Sequence, residues 1–188
     1  FIRDNVPEVE NAIATNEIWN EYLSPDEERV FKEQTGLLAP SEIFGFFSFK
    51  LLRGNIKDVL DDPNSIVLSE SMAERYFPGQ DAMGKIILDE KKQELRVTGI
   101  MQDIPEQSSI VATYFRSNAD LVKRYNDNWD NSSFEIFVLL KPGALAVTVN
   151  EKIADVIRRY DKESKRVSFL QPLSNLHLKE RVRDARGS

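Results

Sequence analysis

The chain has no cysteine among its 188 residues, which excludes disulfides, thiolate metal sites and thiol nucleophiles. Histidine occurs once, at His177. Ser174, Leu176 and Leu178 around it supply neither a nucleophile nor a ligand set, so His177 reads as a packing or hydrogen-bonding residue. Glycine is sparse, and the pair nearest a helix, Gly79 and Gly84, has neither the G-x-G-x-x-G spacing nor a Walker lysine, so nucleotide binding has no motif. Long apolar runs are missing too: the strongest, residues 134–140, is broken by Glu135 and falls far short of the roughly 20 residues that span a bilayer. Positive charge is in deficit. A net charge of -6 speaks against nucleic-acid and anionic-membrane partners, both of which select a basic face. The chain opens on Phe1 without a basic n-region or an apolar h-region, and reads as a segment of a longer polypeptide.

What is present suits an autonomous globular fold. Hydrophobic residues make up 41% and charged residues 30%, outside the regime of disorder, and a chain of this length buries roughly 70% of its unfolded surface as one domain or two small lobes. Pro7, with Glu8 and Glu10 behind it, predicts a helix running to Thr15. Residues 17–22 and 29–38 flank the turn-like Ser24-Pro25-Asp26 and predict a β-hairpin or a pair of sheet strands. Pro40-Ser41-Glu42 opens a phenylalanine-rich stretch ending at Gly54, read as a buried helix or helix–turn pair. A helical turn over 55–60 and a strand over 65–68 follow. Ser69 then caps a helix to Phe77, with Met72, Ala73, Tyr76 and Phe77 at helical spacing and Pro78-Gly79 as its stop. Residues 85–88 and 95–101 alternate as paired strands across the charged loop 89–92. Residues 112–115 predict a strand, 120–125 a helix and 134–140 a strand ended by Pro142-Gly143. A long amphipathic helix over 144–160 should bury Val147, Val149, Ile153, Val156 and Ile157. Residues 166–170 predict a last strand before a loose charged tail.

Chemistry is harder to find. Asp127-Asn128-Trp129-Asp130-Asn131-Ser132-Ser133 offers oxygen ligands for calcium but lacks the glycine and terminal glutamate of an EF-hand loop, and reads as a solvated loop. Asn131-Ser132-Ser133 fits the glycosylation pattern, which chance supplies often. The many carboxylates stand in no acid/base context. Phe44, Phe46, Phe47 and Phe49 read as buried core rather than an exposed contact patch. No catalytic, cofactor-binding or metal residue is assigned, and no cofactor.

A series of short motifs carries a resemblance. Phe46-Phe47-Ser48-Phe49-Lys50-Leu51-Leu52-Arg53-Gly54, Ser65-Ile66-Val67-Leu68-Ser69-Glu70, Ala73-Glu74-Arg75-Tyr76-Phe77, Met83-Gly84-Lys85, Val97-Thr98-Gly99-Ile100 and Asp103-Ile104-Pro105 resemble, in order and spacing, the MacB-like periplasmic core domain of MacB/FtsX-type ABC transporter permeases. Pro7-Glu8-Val9-Glu10, Leu139-Leu140-Lys141-Pro142-Gly143 and Leu170-Gln171-Pro172-Leu173 extend it, the last resembling permeases from Bacteroidetes. The resemblance implies an α+β fold of two α/β lobes with mixed or antiparallel sheets: a porter-like lobe from both chain ends, 1–39 and 116–188, and an inserted lobe, 40–115. In it Gly54, Gly79 and Gly84 permit turns and Gly99 close backbone packing. It also implies a non-enzymatic role at the periplasmic face of the bacterial inner membrane, coupling cytoplasmic ATP hydrolysis to substrate export or to lipoprotein or peptide handling. The implied partners are the transmembrane helices of the same permease chain, a cytoplasmic ATP-binding subunit, a second permease copy, and a periplasmic adaptor or substrate. The alternative is a ligand- or antimicrobial-peptide-sensing module of a related permease.

Overall fold

A computed structural model describes residues 2–125, 134–154 and 167–175. The elements run α1 (Ile2–Asn5), β1 (Val9–Leu23), β2 (Phe31–Ala39), α2 (Ile43–Phe46), β3 (Leu51–Arg53), β4 (Ser65–Ser69), α3 (Glu70–Tyr76), β5 (Ile86–Leu88), β6 (Glu94–Met101), β7 (Tyr114–Ser117), α4 (Ala119–Tyr125), β8 (Glu135–Leu140) and α5 (Ala146–Ile153), with a final 3-10 turn at Leu173–Asn175. The sheet order is β3-β6-β4-β7-β2-β1-β8, with β5 paired to β6. The fold is thus a mixed sheet with few helices.

Two compact units emerge. One comprises Phe1–Ala12, Gln107–Ile110 and Val138–Ser188; the other comprises Ile13–Glu106 and Val111–Phe137.

In the larger unit β4 is the central strand. All five of its residues are buried, as expected of a strand covered on both faces. It runs parallel to β6, with Leu68 opposite Ile100, and antiparallel to β7, with Val67 opposite Phe115. A parallel pair needs a crossover, and α3 begins it. The Ser69 hydroxyl accepts the Met72 N–H at 3.3 Å, supplying the N-cap, and Met72 and Tyr76 face inward. Leu23, Ile66, Leu68, Met72, Tyr76, Phe77, Ile87, Leu95, Val97 and Tyr114 close one buried cluster. Glycine permits close approaches here. A Cβ on Gly99 would lie 2.7 Å from Val59 Cγ2, and one on Gly36 would lie 2.1 Å from Tyr114 Cζ. The close backbone packing expected at Gly99 is with the Arg53 carbonyl oxygen, 3.1 Å from such a Cβ.

The predicted hairpin is present, with Glu17 opposite Leu37 and Leu23 opposite Phe31. Its first strand is longer than expected, because β1 occupies residues read as a helix. Val9 N–H donates to Val6 carbonyl at 3.0 Å, so Pro7 is the second residue of a β-turn rather than the first of a helix, and the buried Val9, Ile13 and Thr15 then point to one side of an extended chain. The phenylalanine-rich stretch also differs from its reading. It makes a single helical turn, α2, and then the short strand β3. Phe44 is fully buried, whereas Phe46, Phe47 and Phe49 are half-buried in a chain of ring contacts about 5–6 Å apart that reaches Phe115 and Phe137.

In the smaller unit Val149 and Ile153 of α5 pack on Val6 and Val9, with Ala12, Val138, Leu140 and Leu170 around them. Val147, expected on the apolar face, is 60% exposed. The rest of the predicted long helix lies outside the described residues. Val167 to Leu170 form no strand: the Leu170 N–H goes to Asn150 Oδ1 at 2.6 Å and the Ser168 N–H to the Ala154 carbonyl at 3.3 Å, so these donors serve α5 instead of a ladder. Glu8 accepts Lys152 Nζ, and this hydrogen bond holds its carboxyl below the usual carboxylate range.

Candidate functional site

The larger unit carries a cleft of about 540 Å³. One wall is β1 from Glu17 to Glu21, another is the β5–β6 loop with Asp89, Glu90, Lys91 and Gln93, and a third is α4 with Asp120, Leu121 and Arg124; Leu38, Arg116 and Ser117 also line it. Two of these walls have a local cause. In β1, Asn20 adopts a left-handed backbone, φ 56°, a conformation asparagine tolerates better than most residues. Register with β2 is the same on either side of it, Trp19 opposite Thr35 and Glu21 opposite Glu33, yet Trp19 and Asn20 are both exposed where regular alternation would bury one. Trp19 is 62% exposed, and its indole N–H donates to Glu17 Oε2 at 3.0 Å. The loop is tied by Asp89, whose Oδ1 accepts the backbone N–H groups of Lys91 and Gln93, both at 2.9 Å. Glu90 Oε1 accepts the Tyr22 N–H at 3.1 Å and fastens the loop to β1.

Arg116 organises the floor. Its guanidinium bonds Glu21 Oε1 through one nitrogen and reaches Asp89 Oδ2 at 3.4 Å through another, and all three side chains are largely buried. Tyr114 donates its hydroxyl proton to the other oxygen of Glu21 at 2.6 Å. Burial, reinforced by the adjacent Glu21 carboxylate, pushes the Tyr114 hydroxyl well above the usual tyrosine range and keeps it neutral. Removing one member of such a network leaves an uncompensated buried charge, at a cost of about 3 kcal/mol. Behind the cleft a second network joins β2 to α3. The buried Glu33 accepts Arg75 at 2.8 and 2.9 Å and the Tyr76 hydroxyl at 2.9 Å. Burial and Glu33 likewise push the Tyr76 hydroxyl far up. In both networks the carboxylate is committed to an arginine and a tyrosine, an arrangement that builds a scaffold rather than a general base.

The sequence named no site residue, and none of the cleft was read from it. His177 and the oxygen-rich segment 127–133 lie outside the described residues. Among the described residues no group of three or more His, Asp or Glu is placed to hold a metal ion. The cleft was missed because its walls are far apart in the chain: Arg116 and Glu21 are separated by 95 residues, Tyr22 and Glu90 by 68. The one local signal was Glu17-Ile18-Trp19-Asn20-Glu21, a tryptophan among acids and amides inside a strand.

The family model for the MacB-like periplasmic core domain matches residues 1–156. The chain belongs to that family. This MacB-like core domain is accordingly a periplasmic domain of a MacB/FtsX-like ABC transporter permease, and among its described residues no helix is long and apolar enough to cross a membrane. No curated protein matches the sequence. Several solved structures share the fold, three of them as follows. A permease domain from Porphyromonas gingivalis superposes with a TM-score of 0.77 at 22% identity, covering 95% of this chain and 82% of its own. The extracellular domain of the noncanonic ABC-type transporter YknZ from Gram-positive bacteria gives 0.65 at 13% identity, over 90% and 85% of the two chains. The periplasmic region of MacB from Actinobacillus actinomycetemcomitans gives 0.63 at 14%, over 95% and 78%.

Proposed function

We propose that this core domain transmits movement: ATP hydrolysed by a cytoplasmic subunit displaces the membrane helices of a permease dimer, and the two periplasmic domains move with them to handle a substrate or an adaptor. The match to the core-domain family over residues 1–156 carries this reading. The internal construction supports it, because both buried charge networks bond side chains rather than offering them for chemistry, as a non-catalytic body requires. A porter-like lobe from 1–39 and 116–188 around an inserted lobe at 40–115 is the mechanical division this reading favours. The test uses the full-length permease with its ATP-binding subunit in lipid. The exposed Lys57 is replaced, Lys57→Cys, and spin-labelled in both copies. The distance between labels is expected to differ between nucleotide-free and ATP-trapped states; an unchanged distance in a transport-competent complex refutes the proposal. A ligand-sensing role is the second reading, favoured by the cleft with its exposed Trp19.

A further inference from the structure

We infer that the cleft beside Trp19 is a binding site for a cationic polypeptide segment, one that sets a lysine or arginine side chain against the indole and the carboxylates around it. Three separate observations converge. The first is space: about 540 Å³ lies within the range of ligand-binding clefts and exceeds what one side chain fills. The second is the display of Trp19, 62% exposed beside the left-handed Asn20 and oriented by its hydrogen bond to Glu17. An exposed indole face flanked by a carboxylate attracts guanidinium and ammonium groups. The third is charge. Five carboxylates, Glu17, Glu21, Asp89, Glu90 and Asp120, line the cleft against Lys91, Arg116 and Arg124; Glu21 and Asp89 are engaged with Arg116, which leaves Glu17, Glu90 and Asp120 against Lys91 and Arg124 and the lining net negative. The lining therefore favours a positive guest and disfavours an anionic one. Breadth selects a segment of chain over a single small cation, since the walls come from β1, the β5–β6 loop and α4 together.

The inference names the ligand chemistry of a surface that the permease reading leaves undefined, and its failure leaves the ATP-dependent movement of Lys57 untouched. Trp129→Phe leaves Trp19 as the single remaining tryptophan of the two. Its fluorescence is titrated with triarginine, triglutamate and argininamide at low ionic strength. Triarginine is expected to give a saturable change, weakened by salt and roughly five- to thirty-fold weaker by calorimetry in Trp19→Ala. Glu17→Gln should weaken it in the same direction, and thermal midpoints of both surface variants should match the parent. Absence of saturable binding, equal binding of triglutamate, or unchanged affinity in Trp19→Ala overturns the site. Argininamide binding as tightly as triarginine overturns the assignment to a polypeptide.

Discussion

Gly36 gives the sharpest test of the packing, because local and tertiary reasoning predict opposite signs for Gly36→Ala. Removing a glycine from a strand should stabilise the protein by about 0.5–1 kcal/mol through the unfolded state. The tertiary structure forbids this. The new methyl carbon would lie 2.1 Å from Tyr114 Cζ, 2.5 Å from its hydroxyl oxygen and 2.6 Å from Cε1, and Tyr114 is fully buried with no room to swing aside. Overpacking of this kind costs about 1–3 kcal/mol. Displacing the ring also strains the hydroxyl's bond to Glu21, a charged acceptor, for another ~1.5 kcal/mol. We expect Gly36→Ala to lose about 3–4 kcal/mol in urea denaturation, and about 10 °C in melting temperature at ~2–4 °C per kcal/mol for a domain of this size. Tyr114→Leu in the same background should recover part of the loss, with a coupling of at least about 1 kcal/mol in the double-mutant cycle. A stable Gly36→Ala, within about 0.5 kcal/mol of the parent, or strictly additive costs, would refute the steric argument.

Alkali should unfold the domain through its two buried tyrosines. Their hydroxyls are raised in the fold above the unfolded value near 10, so their contribution is complete below about pH 10 and falls above it, by about 1.4 kcal/mol per pH unit each; Tyr114→Phe should halve the slope seen in denaturation midpoints. Glu33→Ala leaves the buried Tyr76 hydroxyl without its acceptor, while the half-exposed Arg75 keeps access to water, and should cost about 1–3 kcal/mol, with Glu33→Gln losing less because it keeps an acceptor; equal losses in thermal melts would contradict the hydrogen-bonding account. Ser69→Ala removes the N-cap of α3 and should cost about 1 kcal/mol in the same assay, whereas Ser69→Thr, which keeps a capping hydroxyl, should retain more of it.

The elements that the sequence made legible are those whose cause is local. The cap, apolar spacing and Pro78-Gly79 stop of α3, the β5–β6 hairpin across its charged loop, and the pairing of β1 with β2 all rest on residues a few positions apart. Pro7 shows the limit of that reasoning: a proline followed by acids suits both the start of a helix and the second place of a turn, and the sheet neighbours of β1 decided for the turn. The phenylalanine-rich stretch failed similarly, since β3 exists only because β6 lies beside it, Leu51 opposite Met101. The candidate site was the least legible part. Trp19 was visible as a residue between Glu17 and Glu21, but neither its exposure nor the approach of Asp89, Glu90 and Asp120 follows from its neighbours in sequence. Composition excluded thiol chemistry outright, and the ordered motifs from Phe46 to Pro105 indicated the family. Only the tertiary structure brought residues 17–21, 89–93 and 116–124 together and made Gly36 the seat of a ring from β7, because strand order, unlike strand propensity, is fixed by contacts between residues tens of positions apart.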